Sequence, residues 1–328
     1  MNKKIVFSIV LVQIFGLVLS SQYESIFNFG DSLSDTGNFL LSGALAFPVI
    51  GQLPYGKTFF QHATGRCSDG RLIIDFIAEA FSLPYLPPYL AAKEGQSFQH
   101  GANFAFAGAT ALDAEFFYER NIGKSLFLVG EIGGNDYNYA FFLGGGIKQL
   151  QAIVPVVVGA IANVTSELIE EGAVELMVPG NLPIGCSAVY LTLFGSGNKT
   201  DYDRHGCLKA FNAFARYHNH QLKQALDSLR QKYPHTRIIY ADYYGAAMRF
   251  VHAPLHHGFY GGTLKACCGG GGPYNFNNSA RCGHTGSAAC ENPSTYSNWD
   301  GIHLTEAAYR YIASSLINGS SSTPPLMS

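Results

Sequence analysis

Charge is scarce in this chain. Asp, Glu, Lys and Arg make up 13% of its 328 residues, about half the ~25% of an ordinary globular domain. Net charge is −2 and no Lys/Arg-rich run occurs, so the electrostatic footprint of a nucleic-acid partner is missing and none is expected. The G-x-S-x-G elbow of the usual α/β-hydrolases is absent, and acid and histidine do not sit on the separate loops that fold requires. "CCGGGG" is followed by neither Lys-Ser nor Lys-Thr, which rules out a phosphate loop. Beyond the first twenty residues no segment reads as able to cross a bilayer.

That first stretch, "MNKKIVFSIVLVQIFGLVLS", has a basic start, an apolar middle and small residues near its end. It reads as a secretory signal over 1–20 rather than a membrane anchor, which needs about 20 apolar residues. Secretion to the apoplast, cell wall or vacuole is expected, with no stable membrane insertion. In an oxidising compartment the seven cysteines read as disulfides before metal ligands. Cys267 and Cys268 are neighbours and should bond outward, to Cys282 and Cys290 in some order. Cys186 and Cys207 bracket one loop and could pair, which leaves Cys67 as the candidate free thiol. Asn163, Asn198, Asn277 and Asn318 head glycosylation sequons.

Apolar runs of strand and helix period alternate. "ESIFNF", "ANFAFAG", "KSLFLVGEIG", "AVELMVP" and "TRIIYADYY" read as strands. "SDGRLIIDFIAEAF", "CLKAFNAFARYHNHQLKQALDSLRQKYP", which ends before Pro234, and "TEAAYRYIASSLI" read as helices. The pattern over 147–172 is helical, interrupted by Pro155 and stopped by Gly172. Five strands interleaved with helices argue an α/β, doubly wound parallel sheet flanked by helices. No interdomain linker is evident. A single domain over 21–319 is expected, with 320–328 as a loose tail and 261–290 as a cysteine-stapled surface excursion.

In such a sheet ligands bind beyond the carboxyl ends of the strands, and four polar signals fall there or in the last loop. "FGDSLSDTGN" follows the first strand, "FAGAT" the second and "GGNDYN" the third. "WDGIHLTEAAY" precedes the last helix. Ser32, Asp300 and His303 would supply a hydroxyl, an orienting carboxylate and a base. Taken singly, each has a plainer reading: Ser32 as a turn residue, Asp300 as a helix cap and His303 as a packed histidine. "HAPLHH" invites a metal, but no carboxylate cluster stands near it and it reads as a loop feature.

Together the four blocks resemble the plant secreted GDSL esterase/lipases, a branch of the SGNH hydrolases. The resemblance covers nearly all of the chain after the leader. It implies a flavodoxin-like sheet of about five strands and ester hydrolysis without cofactor or metal. Ser32 would be the nucleophile, with His303 as base and Asp300 as its partner. The amides of Ser32 and Gly108 and the side chain of Asn135 would form the oxyanion hole. Asp31, Asp35 and Asn38 would shape the turn. "ADYYGAAMRF" and "CENPSTYSNWDG" resemble the subgroup containing sinapine and acetylajmaline esterases, which act on small acylated metabolites. A small-molecule ester and a monomeric state are expected. An acyltransferase with an alcohol acceptor would use the same residues, and a lectin-like binding protein could keep only the shell.

One departure stands out. "GATALDAEFFYERNIGKSLFLVG" joins the second block to the third strand with fewer residues than relatives carry. Asp113 could cap a short helix "AEFFYER" there. A shortened, catalytically impaired form is the corresponding alternative.

Overall fold

A computed structural model describes residues 22–43, 47–92, 98–110 and 124–327. The leader and the "AEFFYER" helix lie outside these residues. Five parallel strands make the centre: β1 (Ser25–Phe29), β2 (Gly101–Asn103), β3 (Ser125–Val129), β4 (Glu175–Pro179) and β5 (Arg237–Ala241). Their order is 2-1-3-4-5, that of the flavodoxin-like sheets. Parallel strands covered on both faces read as continuous apolar runs, and every residue of "SLFLV" in β3 is buried.

Successive side chains of a strand point to opposite faces, and two cores result. Leu126 and Leu128 of β3 join the helices Ile73–Ala80, Tyr243–His252 and Glu306–Ile317 on one face. Phe127 and Val129 join Gly134–Phe142, Ile147–Glu170 and Lys209–Lys232 on the other. The register pairs Phe27 with Phe127, and the two rings stack with centroids 5.4 Å apart.

Pro155 does not interrupt its helix, which runs unbroken from Ile147 to Glu170. A proline costs the bond from its own missing N–H and crowds the carbonyl four residues back. Pro155 is exposed, so water can hydrate the freed carbonyl. By length and composition this helix is also apolar enough to cross a membrane, which corrects the expectation that no segment after the leader is. Here Leu150, Val154, Val157, Ile161 and Leu168 form a buried stripe at helical spacing. Gly172 (φ +105°) ends the run.

The C-terminal segment is not loose. Ser322–Thr323 pairs antiparallel with β5, and Leu326 is wholly buried in the first core. The cysteine-rich excursion holds two disulfides, Cys267–Cys290 and Cys268–Cys282. A third joins Cys186 to Cys207. Cys67 is free and buried.

Candidate active site

The sheet order reverses between β1 and β3, and a crevice opens at such a switch point. The turn after β1 is tied down by its own polar side chains. Asp35 is fully buried. Its carboxylate accepts the backbone N–H groups of Gly37 (2.7 Å), Asn38 (2.7 Å), Phe39 (3.0 Å) and Ala107 (2.9 Å). Asn38 donates to the carbonyls of Asn103 and Ala105, and Asp31 accepts from Leu33 N–H. These bonds join the first turn to the loop after β2 and leave Ser32 half-exposed.

The loop before the last helix approaches from the other side. Thr305 caps that helix by accepting from Ala308 N–H. Asp300 Oδ1 accepts the N–H groups of Ile302 and His303, which close a tight turn. Asp300 Oδ2 then lies 2.7 Å from His303 Nδ1, and His303 Nε2 lies 2.8 Å from Ser32 Oγ. The three residues form one hydrogen-bonded chain across 271 positions of sequence. Such a chain can move a proton from hydroxyl to imidazole while a carboxylate balances the charge.

Asn135 sits in the first turn of the helix Gly134–Phe142. Its Nδ2 donates to Asp31 Oδ2 at 2.8 Å and to the Ala109 carbonyl at 3.1 Å. Gly108 has φ +87°, a left-handed backbone that favours glycine, and its carbonyl accepts from Tyr139. Among the described residues neither the Ser32 nor the Gly108 N–H meets an acceptor. Ser32 and Asn135 line the cleft at the switch point, whereas Gly108 lies outside that lining.

Residues 26–316 match the family model described as GDSL-like Lipase/Acylhydrolase. The chain belongs to this family. One GDSL esterase/lipase of Arabidopsis thaliana is 54% identical over 343 residues, covering 92% of this chain and 92% of that protein. That alignment is longer than the chain itself, so the relative carries residues with no counterpart here. The sinapine esterase of Brassica napus is 43% identical, covering 98% and 94% respectively. This GDSL protein is accordingly a carboxylic ester hydrolase.

The walls of the esterase cleft come from the loops after β3 and β4, from the helix Tyr243–His252 and from the loop before the last helix. Asn138, Leu182, Ile184, Tyr190, Phe250 and Ile302 make a mainly apolar surround. Asp300 is buried, which alone would raise its pKa, but the His303 charge and the donated N–H groups bring it down to about 2. Burial alone would lower His303. The Asp300 carboxylate outweighs it and holds the imidazole well above the usual range. The Cys67 thiol beside this pair is kept protonated by its own burial, so Asp300 supplies the charge.

Three neighbours carry no motif in the sequence. Glu131 is buried in the cleft lining against Asp31. Tyr55 and Cys67 back the Asp300–His303 pair. For Glu131 a hint was available, since an acid just before "IGGNDYN" sits at a strand end. For Tyr55 and Cys67 no local pattern marks a contact made so far along the chain. All four sequon asparagines are exposed.

Proposed function

We propose that this protein is a secreted serine esterase that hydrolyses esters of small acylated metabolites or lipids through an acyl-enzyme on Ser32. The hydrogen-bonded chain Asp300–His303–Ser32 carries the reading. His303 takes the Ser32 proton as Oγ attacks the ester carbonyl, and Asp300 balances the imidazolium. The resulting oxyanion is held by the N–H groups of Ser32 and Gly108 and by the Asn135 amide, which turns to it from the Ala109 carbonyl. His303 then protonates the departing alcohol. A water molecule, deprotonated by His303, attacks the acyl group and releases the acid with Ser32 restored.

The small-metabolite class is supported by the 43% identity to a sinapine esterase. The mainly apolar cleft suits an acyl chain or ring. Secretion is supported by the apolar leader and by three disulfides.

An organophosphonate ester probe tests the reading. It should label one residue, Ser32, and Ser32→Ala should lose both labelling and hydrolysis while melting at the native temperature. Turnover above a trace in pure Ser32→Ala would refute the assignment of the nucleophile.

A further inference from the structure

Asp300 is held by more than the histidine. Its Oδ2 accepts from His303 Nδ1 at 2.7 Å and also from the Tyr55 hydroxyl at 2.9 Å. Oδ1 takes two backbone N–H groups, from Ile302 at 3.0 Å and His303 at 2.9 Å. Tyr55 stands 245 positions before Asp300 and is 1% exposed. Its ring packs edge-on against Phe47 and Trp299, with centroids 6.1 and 5.9 Å away.

We propose that Tyr55 is a positioning residue of this esterase, one that holds Asp300 toward His303 and sets the pH at which His303 becomes a free base. The proposal rests on the assignment of Ser32, His303 and Asp300 given above. An oxygen shared by two donors presents less charge to each than it would to one. The Tyr55 bond is strongest when Asp300 faces a neutral imidazole, because an imidazolium already balances the carboxylate. The bond therefore favours neutral His303 and makes it less basic than the Asp300 charge alone would.

Tyr55 can act only as the donor here. Burial, followed by the Asp300 charge, pushes its phenol well above the usual range. The other ionisable groups facing the pair are Cys67 and Asp31 toward His303, and Cys67 and Tyr309 toward Asp300. Asp35 lies toward Cys67, and Arg281 toward Tyr55. Tyr55→Phe leaves all of them in place and keeps the ring contacts. Asp300 retains three donors in that variant.

The test titrates the His303 imidazole by NMR from pH 4 to 10 in the native protein and in Tyr55→Phe, the signal being assigned by its loss in His303→Gln. The acidic limb of kcat/KM is measured in parallel. Both midpoints should rise in Tyr55→Phe by about half to one pH unit, and plateau kcat should fall about two- to tenfold. An unchanged or lowered midpoint overturns the proposal. A role confined to packing would lower the melting temperature and leave the midpoint where it was. The imidazole titration needs no turnover. A hydrolytically active Ser32→Ala would refute the assignment of the nucleophile, while the titration still judges Tyr55.

Discussion

Asn135 Nδ2 lies 2.8 Å from Asp31 Oδ2, the side chain immediately before Ser32. The amide thus bridges the turns after β1 and β3, the two strands that flank the switch point. Its second hydrogen goes to the Ala109 carbonyl, beside Gly108. In the proposed role, the bond to Asp31 would hold the amide in place and the bond to Ala109 would be the one an oxyanion displaces.

Asn135→Ala separates these two duties. If the amide supports the oxyanion, kcat should fall about 10²–10³-fold with KM little changed. If it only anchors Asp31, the melting temperature should drop while kcat falls less than tenfold. Steady-state kinetics with a thermal melt on one preparation decides between them.

Removal of the base should cost more than neutralising its partner. His303→Ala leaves Ser32 with no proton acceptor, and about a 10⁶-fold loss in kcat is expected. Asp300→Asn should cost about 10⁴-fold, because the imidazole remains but loses its charge partner and tautomer control. An amide at 300 also brings its NH2 group against donors, since both oxygens of Asp300 accept bonds in the native site. Equal losses in the two variants would mean that Asp300 does more than orient the base.

Much of this arrangement is legible in the sequence because it is local. Asp300 and His303 share one turn, and Asp35 binds the backbone of the residues just after it. Four of the five central strands carry apolar runs, whereas β2 is only Gly101–Asn103 and the apolar "FAFAG" that follows it is not strand. What escapes is of two kinds. Backbone-driven pairing leaves no side-chain signal, so "SSSTPPLMS" reads as a tail although Ser322–Thr323 completes the sheet edge. The helix Gly134–Phe142 opens on Gly and Asn, which mask its start. The second kind is long-range contact. Tyr55 sits in unremarkable surroundings, and only the folded chain brings it to Asp300.

The disulfide Cys186–Cys207 closes a loop with a sequence separation of 21, and Cys186 lines the cleft beside Ile184 and Ser187. Restricting a loop of that length in the unfolded chain is worth about 3 kcal/mol. The double variant Cys186→Ala/Cys207→Ala should lose that much in denaturant unfolding and show a raised KM as the cleft wall loosens. A loss below about 1 kcal/mol would mean that the native bond is strained or that the unfolded loop is already restrained.

Glu131 and Asp31 make stability depend on pH. Burial raises Asp31 to about 6. Burial, and then the Asp31 charge, raises Glu131 well above the usual carboxylate range. In the unfolded chain both carboxyls ionise near pH 4, so above that pH the folded pair binds more protons than the unfolded one. Stability therefore falls as pH climbs from about 4 through about 6, and it goes on falling until Glu131 ionises. Glu131→Gln keeps the side chain's shape and can donate its NH2 to Asp31 without holding a titrating proton. The variant should melt above the native enzyme at pH 8, and the gap should narrow as pH is lowered to 4. Melting curves across that range check the sign. A gap that stays constant with pH, or a native enzyme that is the more stable at pH 8, would show that the folded pair holds no more protons than the unfolded one.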